Sequence, residues 1–69
     1  MISARNQFKG IIKSVKLGDI MAEVVIKSGT IDLVSVITRE SAETMGLAVG
    51  KEVTAIVKST EVMVSAESL

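Results

Sequence analysis

The sequence predicts an all-β domain: a five-stranded OB-type barrel with one short helix between strands 3 and 4. Three observations carry that expectation. Five short stretches are rich in Val, Ile and Thr and most alternate with period two. Glycine-bearing pairs separate the first three stretches at hairpin spacing. A single ten-residue stretch breaks the alternation with helix signals. At 69 residues, the chain has room for one domain, spanning 1–69.

The elements follow in order. GIIKSVKL (10–17) is the first strand, and Gly18-Asp19 turns it into IMAEVVIK (20–27). Ser28-Gly29 supplies the next tight turn, since glycine reaches positive φ without a steric cost. TIDLVSVIT (30–38) is the third strand, with Ile31, Leu33, Ser35 and Ile37 on one face and Asp32, Val34, Val36 and Thr38 on the other. Both faces are largely apolar, which fits a core on one side and a subunit contact on the other. TRESAETMGL (38–47) reads as a two-turn helix with Thr38 as N-cap, Ala42 and Met45 on one face and Gly46 as the left-handed terminator. EVTAIVKS (52–59) and EVMVSA (61–66) are the fourth and fifth strands.

Composition narrows the function. A domain this small buries only ~60% of the surface its unfolded chain exposes, yet 48% of its residues are hydrophobic. With no Cys and no His, neither a disulfide nor a thiolate or imidazole metal site supplies extra stability. Surplus apolar surface therefore points to a homo-oligomer. Eight Lys and Arg balance eight Asp and Glu, and Phe8 is the single aromatic residue. Proteins that grip nucleic acid are normally basic and stack bases on several rings, so both facts argue against that partner. No apolar run approaches a membrane span and the N-terminus lacks signal-peptide features, so a soluble, cytoplasmic protein is expected.

Catalytic chemistry finds no foothold. Glu23, Asp32, Glu40, Glu43, Glu52, Glu61 and Glu67 have no His or Cys to work beside, and most fall on polar alternates or the helix exterior. No calcium-loop spacing is present. What remains are donors suited to an anion. Ser3, Arg5 and Asn6 lie at the N-terminus, Thr38 and Ser41 at the start of the helix, and Lys58, Ser59 and Thr60 at the end of the fourth strand. A helix start with unpaired N–H groups suits an oxyanion. Taken singly, each group also reads as a cap, a strand end or a solvated terminus. In an OB-type order, the fourth strand can bring Lys58 toward Thr38 and Ser41; the sequence does not place Arg5 there within one chain, and in an oligomer a neighbour's N-terminus could supply it.

SARNQFKG (3–10), AEVVI (22–26), VITRESAETMGLAVGKEV (36–53) and AIVKST (55–60) together resemble the molbindins, small cytoplasmic molybdate-binding proteins whose unit also occurs in molybdate-responsive regulators and molybdate-transport ATPases. The resemblance spans nearly the whole chain. It implies a binding protein for molybdate or tungstate, acting in molybdenum storage or homeostasis, with no further cofactor and no catalytic residue. It implies oxyanion sites at subunit contacts, with Ser3 and Arg5 from one chain and with Thr38 and Ser41, together with Lys58 and Ser59, from the other. Asn6 fits the same motif. It further implies a hexamer built as a trimer of dimers, with a second class of site near the three-fold axis whose residues are left unassigned. The alternative is an OB-type nucleic-acid or protein-interaction module, which zero net charge and one aromatic disfavour.

Overall fold

The computed structural model describes residues 5–67. Four strands form one antiparallel sheet in the order β3-β2-β1-β4: β1 Asn6–Leu17, β2 Met21–Ser28, β3 Ile31–Thr38 and β4 Glu52–Val57. One short helix, α1 Arg39–Thr44, joins β3 to β4, as expected from the sequence. Among the described residues, no helix is long and apolar enough to cross a membrane.

The first strand is longer than its apolar run because it serves two partners. Its N-terminal half pairs with β4, from Asn6 opposite Val57 to Ile11 opposite Glu52. Its C-terminal half pairs with β2, from Ile11 opposite Lys27 to Leu17 opposite Ala22, with an irregularity between Ile12 and Ser14. The polar stretch NQFK is thus ladder, held in strand geometry by backbone pairing rather than by side-chain pattern. A bulge of this kind bends a strand and raises its twist, which is how one strand edges two parts of a curled sheet.

Gly10 sits beside the changeover. A Cβ there would stand 2.5 Å from the Lys27 carbonyl oxygen and 2.8 Å from Ile26 Cγ2. Backbone occupies the space, so only glycine fits without displacement. Gly10→Ala should therefore destabilise the fold by about 1–3 kcal/mol, read as a lower denaturant midpoint with an unchanged slope. A midpoint equal to the parent's would contradict the crowding.

The core is small. Ile12, Val24 and Ile26 are buried together, and Val15, Leu33, Ile37, Leu47, Val53 and Ala55 pack against them. Ala42 is the buried residue of α1. Leu33, Ile37, Val53 and Ala55 face the same side of the curled sheet. Between the β3 and β4 edges that side opens as a groove of about 650 Å³.

Helix α1 is capped at both ends. The Thr38 hydroxyl accepts the Ser41 N–H at 3.1 Å, as an N-cap should. At the other end Gly46, at φ +63°, donates to Glu43 while Leu47 donates to Ala42, each at 3.0 Å. These two bonds close a Schellman motif and turn Leu47 back onto the core. The Lys51 ammonium donates to the Met45 carbonyl and, at 3.5 Å, to that of Gly46, adding positive charge at the negative end of the helix.

One element departs from expectation. EVMVSA, expected as a fifth strand, is not a strand in the single chain, whose described residues form four. Ser59–Glu61 instead form a 3-10 turn, with Glu61 N–H donating to Lys58 at 2.9 Å and Val62 N–H to Ser59 at 3.5 Å. Residues 62–67 then run on without a place in the sheet. The alternating pattern therefore meets no partner strand within the sheet. The all-β class and the position of the helix stand as expected.

Candidate functional site

The expected donors separate into two groups. Arg5, Asn6, Lys58 and Ser59 gather at one end of the β1–β4 ladder, since Asn6 is opposite Val57 and Lys58 follows it directly. The Asn6 side-chain amide points at the Ser59 hydroxyl oxygen, 3.5 Å away. Arg5 and Lys58 are both exposed, so two cationic side chains stand at the surface beside two neutral donors. Ser3 lies outside the described residues.

Thr38 and Ser41 form the second group. The Thr38 hydroxyl donates to Ser41 Oγ at 2.8 Å while accepting the Ser41 N–H. Ser41 Oγ is thereby an acceptor within the pair, which leaves its own proton for an incoming oxygen. The first-turn amides are less free than a helix start suggests, because the Arg39 N–H donates to the Ile20 carbonyl at 2.7 Å and the Ser41 N–H is taken by the cap. An open depression of about 280 Å³ lies over this pair, lined by Thr38, Glu40, Ser41, Thr44 and Met45.

The two groups do not meet within one chain. Thr38 is opposite Met21, and β2 returns from there along the C-terminal end of β1, where Ala22 is opposite Leu17. Asn6 and Lys58 sit at the N-terminal end of the same strand. The eleven-residue separation corresponds to roughly 36 Å along an extended strand. The expectation that β4 carries Lys58 to Thr38 is therefore corrected: β3 and β4 are opposite edges of the sheet, and Lys58 keeps company with Arg5 and Asn6.

Sequence reasoning missed three participants around the helix. Thr44 lines the depression because it stands three residues beyond Ser41, on the same helical face. Glu40 brings a carboxylate to the rim, so a dianion resting there requires compensating cations that this group does not contain. Arg39 ties the helix to the β1–β2 turn, donating to the Gly18 carbonyl at 3.2 Å and lying 3.4 Å from Glu43. Only Thr44 had a legible signal, its spacing from Ser41.

Comparison with known proteins converges on one kind. A family model described as the TOBE domain matches residues 2–64. Molybdenum-pterin-binding protein 2 of Clostridium pasteurianum is 47% identical over 66 residues, covering 94% of this chain and 97% of that protein. Against the molybdenum transport protein ModE of Azotobacter vinelandii, identity is also 47%, but the chain spans only 24% of that protein's length. Among solved structures, MopII from Clostridium pasteurianum superposes with a TM-score of 0.90 at 46% identity, covering 96% of this chain and 100% of that one. A molybdate-binding protein from Sporomusa ovata gives 0.89 at 37% identity, covering 94% and 97%. The cytoplasmic molybdate-binding protein ModG, with molybdate bound, gives 0.79 at 44% identity, covering 94% of this chain and 53% of that one.

Proposed function

The chain belongs to the TOBE domain family as a protein of the molbindin type, and from that premise we propose that it binds molybdate or tungstate at contacts between its own subunits. The observation that carries this reading is the division of the donors: Arg5, Asn6, Lys58 and Ser59 at one end of β1, Thr38 and Ser41 at the other. Each half alone is an exposed surface feature. Together they offer two cations and several N–H and O–H donors to one anion.

Molybdate is a tetrahedral dianion with four acceptor oxygens and no proton to place. A site built from donors and two positive charges suits it. Exposed charge pairs contribute ~0–1 kcal/mol, whereas hydrogen bonds to charged groups contribute ~1.5–3 kcal/mol when water is excluded. Micromolar affinity needs about 8 kcal/mol, so the anion must be enclosed, and only a second subunit can enclose it here. Sulfate has the same charge and shape and is discriminated by cavity size. Phosphate usually carries a proton that such a donor-lined cavity cannot accept. Tungstate, nearly equal in size, binds alongside molybdate.

The role that fits is storage or homeostasis of the oxyanion in the cytoplasm by a binding protein without catalytic activity, assembled as a hexamer of three dimers. Titration calorimetry on the folded oligomer should give saturable heat with molybdate and with tungstate at micromolar concentrations. Heat no greater than background with both anions would overturn the reading.

A further inference from the structure

Much of the charge on the described surface is matched within the chain. Asp32 holds Lys13 at 2.8 Å, and Glu43 lies 3.4 Å from Arg39. Lys51 donates to the carbonyls that end α1, and Glu23 stands opposite Lys16 across the β1–β2 ladder. Glu40 is different. Among the described residues its side chain has no ion pair and no hydrogen bond, and the same holds for the side chains of Arg5 and Lys58.

These unmatched charges are opposite in sign and stand in opposite halves of the proposed site. Glu40 is exposed and lines the depression over Thr38 and Ser41, whereas Arg5 and Lys58 mark the other end of β1 beside Asn6. A carboxylate in the first turn favours the positive end of α1. That accounts for a negative charge there but not for its place on the rim of the depression. A dianion resting on the two hydroxyls is repelled by it. The carboxylate's use therefore lies in what occupies the cations before the dianion arrives, or in what it keeps out.

We infer that Glu40 is the charge filter of the site: without oxyanion, its carboxylate pairs across the subunit contact with Arg5 and Lys58 of a second copy, and only a dianion displaces it. The inference rests on the reading of a site shared between subunits and names what sets its selectivity. A monoanion offers the two cations one negative charge, no more than the carboxylate already supplies, and it meets the carboxylate's repulsion as well. It gains nothing by entering. A dianion brings twice the charge to the same two cations and prevails. Shape cannot make this distinction, because tetrahedral oxyanions of nearly one size occur with a single or a double charge. The carboxylate thus complements discrimination by cavity size, which separates anions of equal charge.

Perrhenate is the probe, since it is tetrahedral and nearly the size of tungstate but carries a single negative charge. In calorimetry on the full-length parent, millimolar perrhenate should leave molybdate affinity unchanged. In Glu40→Gln and in Glu40→Ala, molybdate should bind roughly fivefold tighter, and perrhenate should compete with it. Glu40→Asp keeps the charge and should exclude perrhenate as the parent does. The pairing is tested separately, with no oxyanion present. Glu40→Gln should lower the urea concentration at which the oligomer dissociates, and should not lower it where Arg5 and Lys58 are both replaced by alanine. A role confined to the helix start gives another pattern: weaker assembly and weaker binding, with or without those cations. That pattern, or perrhenate treated alike by the parent and the two neutral variants, would overturn the filter. A parent that binds neither molybdate nor tungstate would defeat the shared site itself, and the dissociation series would still decide whether Glu40 meets the two cations.

Discussion

Replacing Arg5 or Lys58 by alanine should weaken molybdate binding by more than tenfold while the subunit number stays that of the parent. Both side chains are exposed in the single chain and neither is held by a described ion pair, so the fold does not depend on them. Their expected contribution arises only when a second subunit excludes water. A hydrogen bond from a charged donor then contributes ~1.5–3 kcal/mol, which is roughly a 10- to 150-fold change in affinity. The presence of Glu40 beside Thr38 and Ser41 strengthens the case, because a dianion placed there without Arg5 and Lys58 would meet net negative charge. Calorimetry on each variant, with native mass spectrometry as control, measures the effect. Unchanged affinity in both variants would remove these residues from the site.

Much of the fold was legible because local signals and global demand agree. Thr38, Ala42 and Gly46 announce a capped helix, and the structure closes it with those residues. Gly18-Asp19 and Ser28-Gly29 mark turns that the ladder respects. The start of β1 was not legible, because Asn6 and Gln7 have no strand pattern and are extended only by pairing with β4, a partner more than forty residues away. Residues 61–66 fail in the opposite sense: their alternation is that of a strand, but the single chain gives them no neighbour. Alternation records what a segment can cover, not which molecule it covers.

The site divides along the same line. Residue types alone suggested anion donors, and the cap at Thr38 was placed correctly. Which donors stand together was not legible, because it depends on strand order. Lys58 was expected near Thr38 and lies instead with Arg5 and Asn6, since β3 ends beside the C-terminal end of β1 by way of β2 while β4 ends beside its N-terminal end. For the proposed site the consequence is a sharper division of labour: one chain would contribute Arg5 and Lys58, another Thr38 and Ser41.

That division predicts complementation between two inactive variants. The first carries Arg5→Ala with Lys58→Ala and lacks the cationic half. The second carries Ser41→Glu. Glutamate at this position completes a capping box with Thr38, so the helix start is preserved while a carboxylate faces the incoming anion. Each variant assembled alone should bind molybdate too weakly for measurable heat. Co-refolded in equal amounts, the two should regain about a quarter of the parent's sites, because random assembly joins an intact cationic half to an intact hydroxyl half at that frequency. Native mass spectrometry resolves the mixed oligomers and their bound anions together. Restored binding in the mixture cannot arise from a site lying within one chain. Its absence, with mixed oligomers plainly formed, would place both halves on the same subunit and undo the shared site.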